Sequence, residues 1–203
     1  SFQTKLSFAP IDMCVSKETL VCVEQNGSVS QLHSQNLRPL QTNEIYLLQE
    51  EQHRFSKSAA IAYNATSVFI NEQTKKAVFT NPNNTLGRKA IELNHKGNVE
   101  VCKLSKDSML FACGGSDGRT HLYQAPSYQL LGVTQPRPDY ISAIAFSDCG
   151  KFMAIGGYDG LIIIHHSDTL DIITTITLNS PIEDITFTSN NCVVAVAREG
   201  KMV

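Results

Sequence analysis

Three groups of side chains in this sequence have residue types that chemistry could use. Gly114-Gly115-Ser116-Asp117-Gly118 has the G-x-S-x-G spacing of a serine nucleophile, with His121 close behind it as a base. His165 and His166, followed by Asp168, are metal-ligand types, and Glu183 beside Asp184 offers two carboxylates for acid–base work. What these residues can do depends on the elements that carry them. A nucleophile elbow needs a strand turning sharply into a helix, whereas the residues after Gly118 read as a further strand. Neighbours on a strand point to opposite faces, so neither the His165-His166 pair nor the Glu183-Asp184 pair converges on one ion or one substrate. The sequence assigns no catalytic residue, no metal site and no cofactor.

The elements come from self-comparison. Asn98 to Gly118 aligns with Tyr140 to Gly160 at a constant offset of 42 residues without a gap, and a third copy begins at Pro181. Each copy is an alternating strand, a short polar turn and a nearly all-apolar strand. A Gly- and Asp-rich hairpin into a third strand follows, and an outer strand completes the sheet. Gly114, Asp117 and Gly118, like Gly156, Asp159 and Gly160, are the structural residues of these hairpins.

Weaker copies precede them. Asp12 to Ser16, Thr19 to Gly27 (closing on an Asn26-Gly27 turn) and Ser28 to His33 form one. Ser58 to Tyr63, Ser67 to Asn71 and Lys76 to Thr80 form another, with Gln73-Thr74-Lys75 as its turn. Between them, Asn43 to Arg54 suits an outer strand plus loop better than a short helix, because the repeat needs a fourth strand there.

Four-stranded antiparallel sheets that are apolar on both faces cannot bury themselves alone; stacked around an axis they make a β-propeller. The expected fold is all-β, a single propeller over residues 1–203 with about five blades, at 9–50, 57–94, 98–135, 140–178 and an incomplete 181–203. The last copy stops inside its third strand at Lys201-Met202-Val203. The chain is therefore expected to be part of a larger ring, the alternative being that residues 1–8, through Phe2 to Phe8, close the last blade.

The segments Gly114–Gly118 and Gly156–Gly160, with the Phe146-Ser147 step, resemble the WD40 family. The likeness is clear over 98–203 and loose over 1–97. Trp is absent, so Tyr123-Gln124 and His165-His166 stand where the family has Trp-Asp, and its Gly-His pair before the first strand is missing. The resemblance implies a non-catalytic scaffold or adaptor that holds a protein or peptide partner. The loop entering each blade and its second hairpin form the docking face in such propellers. Mapped here, that face includes His95, Lys96 and Ser116; Arg137, Asp139, Tyr140 and Tyr158; and Asn179 and Arg198. Arg137-Pro138-Asp139-Tyr140 beside Tyr158 is the strongest patch, since Tyr and Arg anchor interfaces well. A ligand-sensing or enzymatic propeller using a central channel is the alternative, but Val99, Val101, Ile141, Ala143, Ile144 and Ile185 make the first strands apolar. An exported bacterial propeller is a third reading.

Composition narrows the partners. With 17 Lys plus Arg against 19 Asp plus Glu, the net charge of −2 gives no basic footprint for nucleic acid. The longest apolar runs, Leu161 to Ile164 and Cys192 to Ala197, are far short of the roughly 18 residues of a membrane span. Lys75-Lys76 and Arg88-Lys89 read as solvated surface. The six cysteines have no C-x-x-C spacing and, except for Cys149 in a turn, lie in apolar or alternating runs, as free thiols of a reducing, cytoplasmic compartment do. Ser1 to Lys5 lacks the pattern of a secretory leader. Further domains in a longer chain are compatible with all of this.

Overall fold

The repeated apolar and alternating segments form antiparallel meanders. The structure, a computed structural model, describes residues 10–16, 19–24, 29–33, 35, 39–43, 55–61, 66–71, 75–80, 89–190 and 192–198. Among these there is no helix, and 18 strands form five sheets. The expected strand Phe2 to Phe8, the Asn26-Gly27 turn, Gln73-Thr74, residues 44–54 and the terminal Lys201-Met202-Val203 lie outside the described residues.

The chain divides into two compact units, Ser1–Leu93 and Asn94–Val203. In the first unit, β1 (Pro10–Ser16), β2 (Thr19–Glu24), β3 (Val29–His33) and β4 (Pro39–Asn43) pair in chain order. The fourth strand thus ends where the sequence reading began to look for it. Pro39 suits an outer position, because an edge strand can spare an N–H. A second sheet follows, of β5 (Phe55–Ile61), β6 (Ser67–Asn71), β7 (Lys76–Thr80) and β8 (Lys89–Glu92). Val68, Phe69, Ile70, Ala77, Val78 and Phe79 are its buried middle.

The second unit contains the clear repeats. One sheet is β9 (Val99–Leu104), β10 (Leu110–Gly115), β11 (Thr120–Gln124) and β12 (Gln129–Val133). The next is β13 (Ile141–Phe146), β14 (Phe152–Gly157), β15 (Leu161–His166) and β16 (Ile172–Thr177); β17 (Ile182–Phe187) and β18 (Val193–Ala197) form a two-stranded sheet. Burial falls from the inner strands to the outer ones. Five of the six residues of both β10 and β14 are buried, whereas β12 and β16 are almost wholly exposed. The second strand of each sheet is therefore the continuous apolar one, since it has neighbours on both faces.

Adjacent sheets share their cores. Ile141, Ile144, Met153 and Ile155 pack on Ala112 and Leu122 of the preceding sheet, and Ala143, Ala154 and Ile162 pack on Ile182, Ile185 and Ala195 of the following one. The first glycine of each hairpin allows this approach. A Cβ on Gly114 would overlap Ile141, and one on Gly156 would lie 2.6 Å from Ile182 Cγ2 and 2.7 Å from Ile185 Cδ1. We therefore expect Gly156→Val to destabilise the second unit by about 1–3 kcal/mol through overpacking. Urea unfolding measures this, and an unchanged midpoint would mean that the sheets do not meet there.

Candidate functional site

The two ends of each sheet in the second unit carry different side chains, and the end bearing the β10–β11 and β14–β15 hairpins is held by internal polar anchors. In the first of these sheets the anchor is His95, which is 4% exposed. Its Nδ1–H donates to Asp117 Oδ1 at 3.1 Å, and its Nε2 faces Cys113, 3.3 Å from the sulfur. Nε2 also lies 3.2 Å from the Cys113 carbonyl, and burial pushes the Cys113 thiol up, so the sulfur stays protonated. Asp117 also accepts the amides of Lys96 at 3.0 Å and Arg119 at 3.2 Å. Burial alone would raise its carboxyl, but the bonds from His95 and these amides outweigh that and hold it below its ordinary value.

The next sheet has Arg137 at the position of His95, 42 residues on. Its Nε donates to Asp159 Oδ2 at 2.8 Å, Nη2 donates to Asp159 Oδ1, and Nη1 donates to the Ile155 carbonyl at 3.2 Å. Both side chains are 7% exposed. The second hairpin glycine makes room for either anchor. A Cβ on Gly115 would lie 2.6 Å from His95 Nδ1, and one on Gly157 would lie 2.9 Å from Arg137 Nη2. The third glycine closes the turn with φ of +70° at Gly118 and +76° at Gly160.

Arg137 therefore departs from its expected place on the docking face. Its guanidinium is turned inward and its donors are spent on Asp159 and on carbonyls. His95, also expected on the docking face, is likewise buried, its ring turned to Asp117 and Cys113. The signal was present in the offset: His95 over Arg137 and Asp117 over Asp159 conserve a donor facing a carboxylate.

Exposed and half-buried residues at this end form a row. The amide of Ser116 donates to the Asn98 carbonyl, that of Tyr158 to Tyr140, and that of Arg198 to Pro181, so the three occupy equivalent places in successive sheets. Tyr140 and Tyr158 stack with ring centroids 4.0 Å apart. The Arg198 guanidinium lies 4.7 Å from the Tyr158 ring centroid, donates to the Tyr158 hydroxyl, and donates through Nε to Glu183 Oε1 at 2.9 Å. Burial, then the hydrogen bond with Tyr158, pushes the Tyr140 phenol up. A bulge leaves Glu183 unpaired in the β17–β18 ladder, as it does Ser142 between β13 and β14. The bulge turns the carboxylate toward Arg198. Asp139 and Lys96 are exposed beside this row, Asp139 capping the Tyr140 amide at 2.8 Å. Asn179 is exposed as well.

The other chemical candidates resolve differently. Ser116 lies in a hairpin followed by β11, and its hydroxyl accepts the Asn98 amide at 2.9 Å. His165 is buried and its Nδ1–H donates to the Leu170 carbonyl at 2.8 Å, while His166 is exposed on the other face. His95, Asp117 and His121 bring three potential ligand atoms within 4.8 Å of one another. However, the two imidazoles stack at 3.8 Å with 30° between their planes. Their in-plane lone pairs run side by side, which suits hydrogen bonding and stacking better than convergence on an ion.

Residues 129–166 match the sequence model of the WD domain, G-beta repeat (WD40) family. The match starts at β12, the outer strand of one sheet, and runs through β15 of the next. Together with the four-stranded antiparallel sheets, it fits a WD40-like β-propeller arrangement of blades. No curated protein matches the chain.

The anchors give a pH dependence. Burial first, then His95, lowers His121 from the ordinary 6.5 to about 4, so the folded imidazole is neutral where the unfolded one takes a proton. Stability is full above about 6.5 and falls as the pH drops toward 4; the contribution of Asp117 is lost lower still, through its depressed folded value. The urea midpoint should fall across that window and flatten in His121→Phe. A wild-type midpoint that does not move there would contradict the buried neutral ring.

Proposed function

We propose that the chain is a non-catalytic scaffold that docks a protein or peptide on the row formed by Tyr140, Tyr158 and Arg198, with Asp139, Lys96 and Glu183 as its polar rim. WD40 repeats are generally protein-interaction scaffolds, and the family is typically non-enzymatic. The observation that carries the reading is the stacked Tyr140–Tyr158 pair with Arg198 across it. Two large rigid rings with polar tips, stacked at one end of a single sheet and flanked by Arg198 from the next, form a surface that gains area on binding without losing much side-chain freedom. A reducing intracellular compartment accords with the free thiols of Cys113, Cys149 and Cys192.

Affinity capture with quantitative mass spectrometry tests the scaffold reading. Tyr158→Ala or Arg198→Ala should reduce recovery of specific partners by about tenfold or more, the size of an interface anchor. Lys151→Ala, at the opposite end of the same sheet, should leave recovery unchanged. Equal recovery by all the variants would remove this row as the docking surface.

A further inference from the structure

One flank of the second sheet of this unit is open where the same flank of the sheet before it is filled. In the β9–β12 sheet, His95, His121 and Tyr123 form a run of buried rings, with centroids 3.8 Å apart between the first two and 6.4 Å between the last two. At the equivalent positions, 42 residues on, stand Arg137, Ile163 and His165. These three line a cavity of about 280 Å³ between β12, the loop that follows it and strands β14 to β16. Val133, Pro136, Ile155, Leu170 and Ile172 make the rest of its wall mostly apolar, and Val133 and Ile172 are exposed. About 150 Å³ is room enough for a benzene ring, and drug-sized ligands take about 300–1,000 Å³, so the volume suits one substituted ring.

His165 gives this apolar cavity a polar address. It is 5% exposed, and its Nδ1–H is spent on the Leu170 carbonyl at 2.8 Å. Nε2 is then the acceptor nitrogen, and it has no hydrogen-bond partner among the described residues. Nor is it sealed off, as the orphaned Ser167 hydroxyl is, so its lone pair opens on the cavity that the ring lines. Burial lowers the imidazole below its ordinary value, with the Leu170 bond opposing and Arg137 assisting, which keeps that lone pair free of a proton near neutral pH. The other buried polar groups of the wall are committed: Arg137 donates to Asp159 and to the Ile155 and Leu161 carbonyls, and Thr134 Oγ1 accepts the Thr120 amide at 2.9 Å.

We propose that this cavity takes the phenol ring of a tyrosine from a docked peptide, the ring lying against the apolar wall and its hydroxyl donating to His165 Nε2. The volume is that of one ring, the free acceptor calls for a donor, and the sister sheet has a tyrosine of its own, Tyr123, at the position of His165. The proposal rests on the reading of the chain as a peptide scaffold, since Gln135, Pro136 and Arg137 of the wall lead directly into Asp139 and Tyr140 of the docking row.

The test uses the whole chain and titration calorimetry near neutral pH, with p-cresol as the probe. p-Cresol should bind, and toluene, which lacks the donor, should bind about 3- to 10-fold more weakly, the worth of one hydrogen bond. N-acetyltyrosinamide, which carries the same ring on a peptide backbone, should bind at least as well as p-cresol. His165→Tyr installs the residue of the sister sheet and should fold but lose the binding, because the cavity is filled from within. His165→Leu should take p-cresol and toluene equally. Tyr158→Ala, which tests the docking row, should leave p-cresol binding unchanged, so the two readings fail separately. No binding of p-cresol, binding retained in His165→Tyr, a preference over toluene that survives in His165→Leu, or binding lost in Tyr158→Ala would overturn the cavity as the phenol site. Binding of p-cresol without binding of N-acetyltyrosinamide would overturn a peptide tyrosine as its occupant.

Discussion

A carboxylate in each hairpin, held from the incoming loop by a buried nitrogen donor, is the interaction on which the second unit depends. His95 with Asp117 and Arg137 with Asp159 do the same work with different chemistry. The carboxylate also takes the amide two residues on, from Arg119 or Leu161, so one side chain fixes both the loop and the turn. The bonds to a charged acceptor are short and strong, but an Arg–Asp pair at 7% exposure is favourable only while both partners remain. The hairpin glycines follow from this arrangement: one admits the neighbouring sheet, one admits the anchor and one closes the turn.

With the turns fixed from within, the residues next to them can face outward as a rigid set. Ser116, Tyr158 and Arg198 hang from the same backbone hydrogen bond in three successive sheets, so what changes along the row is only the side chain: hydroxyl, ring, guanidinium. The far end of these sheets uses a second anion-holding turn, from Ser105 to Asp107, and replaces its carboxylate with a thiol at Cys149. Each end thus varies a repeated frame at one position, and the variation is where binding can arise.

Much of this frame is legible in the sequence. The 42-residue offset, the Asp-Gly hairpins and the unbroken apolar runs mark β9 to β18, because alternation and turn chemistry are local signals. Burial of Arg137 is not local. An arginine in a loop reads as surface until its partner, 22 residues away, is known to face it. The same holds for His95, which reads as a loop residue until Asp117, 22 residues on, is known to face it. The fourth strand of the first sheet, Pro39–Asn43, has no apolar pattern in its sequence, so neither alternation nor an unbroken apolar run marks it. Cys149 read as a turn residue, but its equivalence to a carboxylate emerges only when the hydrogen bonds of the two turns are compared.

The anchor account is tested most directly by a double-mutant cycle on Arg137 and Asp159, read by urea unfolding. Each single change to Leu should cost about 3–5 kcal/mol by leaving a buried charge unpaired, and the double variant should be less destabilised than the sum of the two. Additive losses, or single losses within about 0.5 kcal/mol of zero, would contradict the account by showing that the two groups do not hold each other.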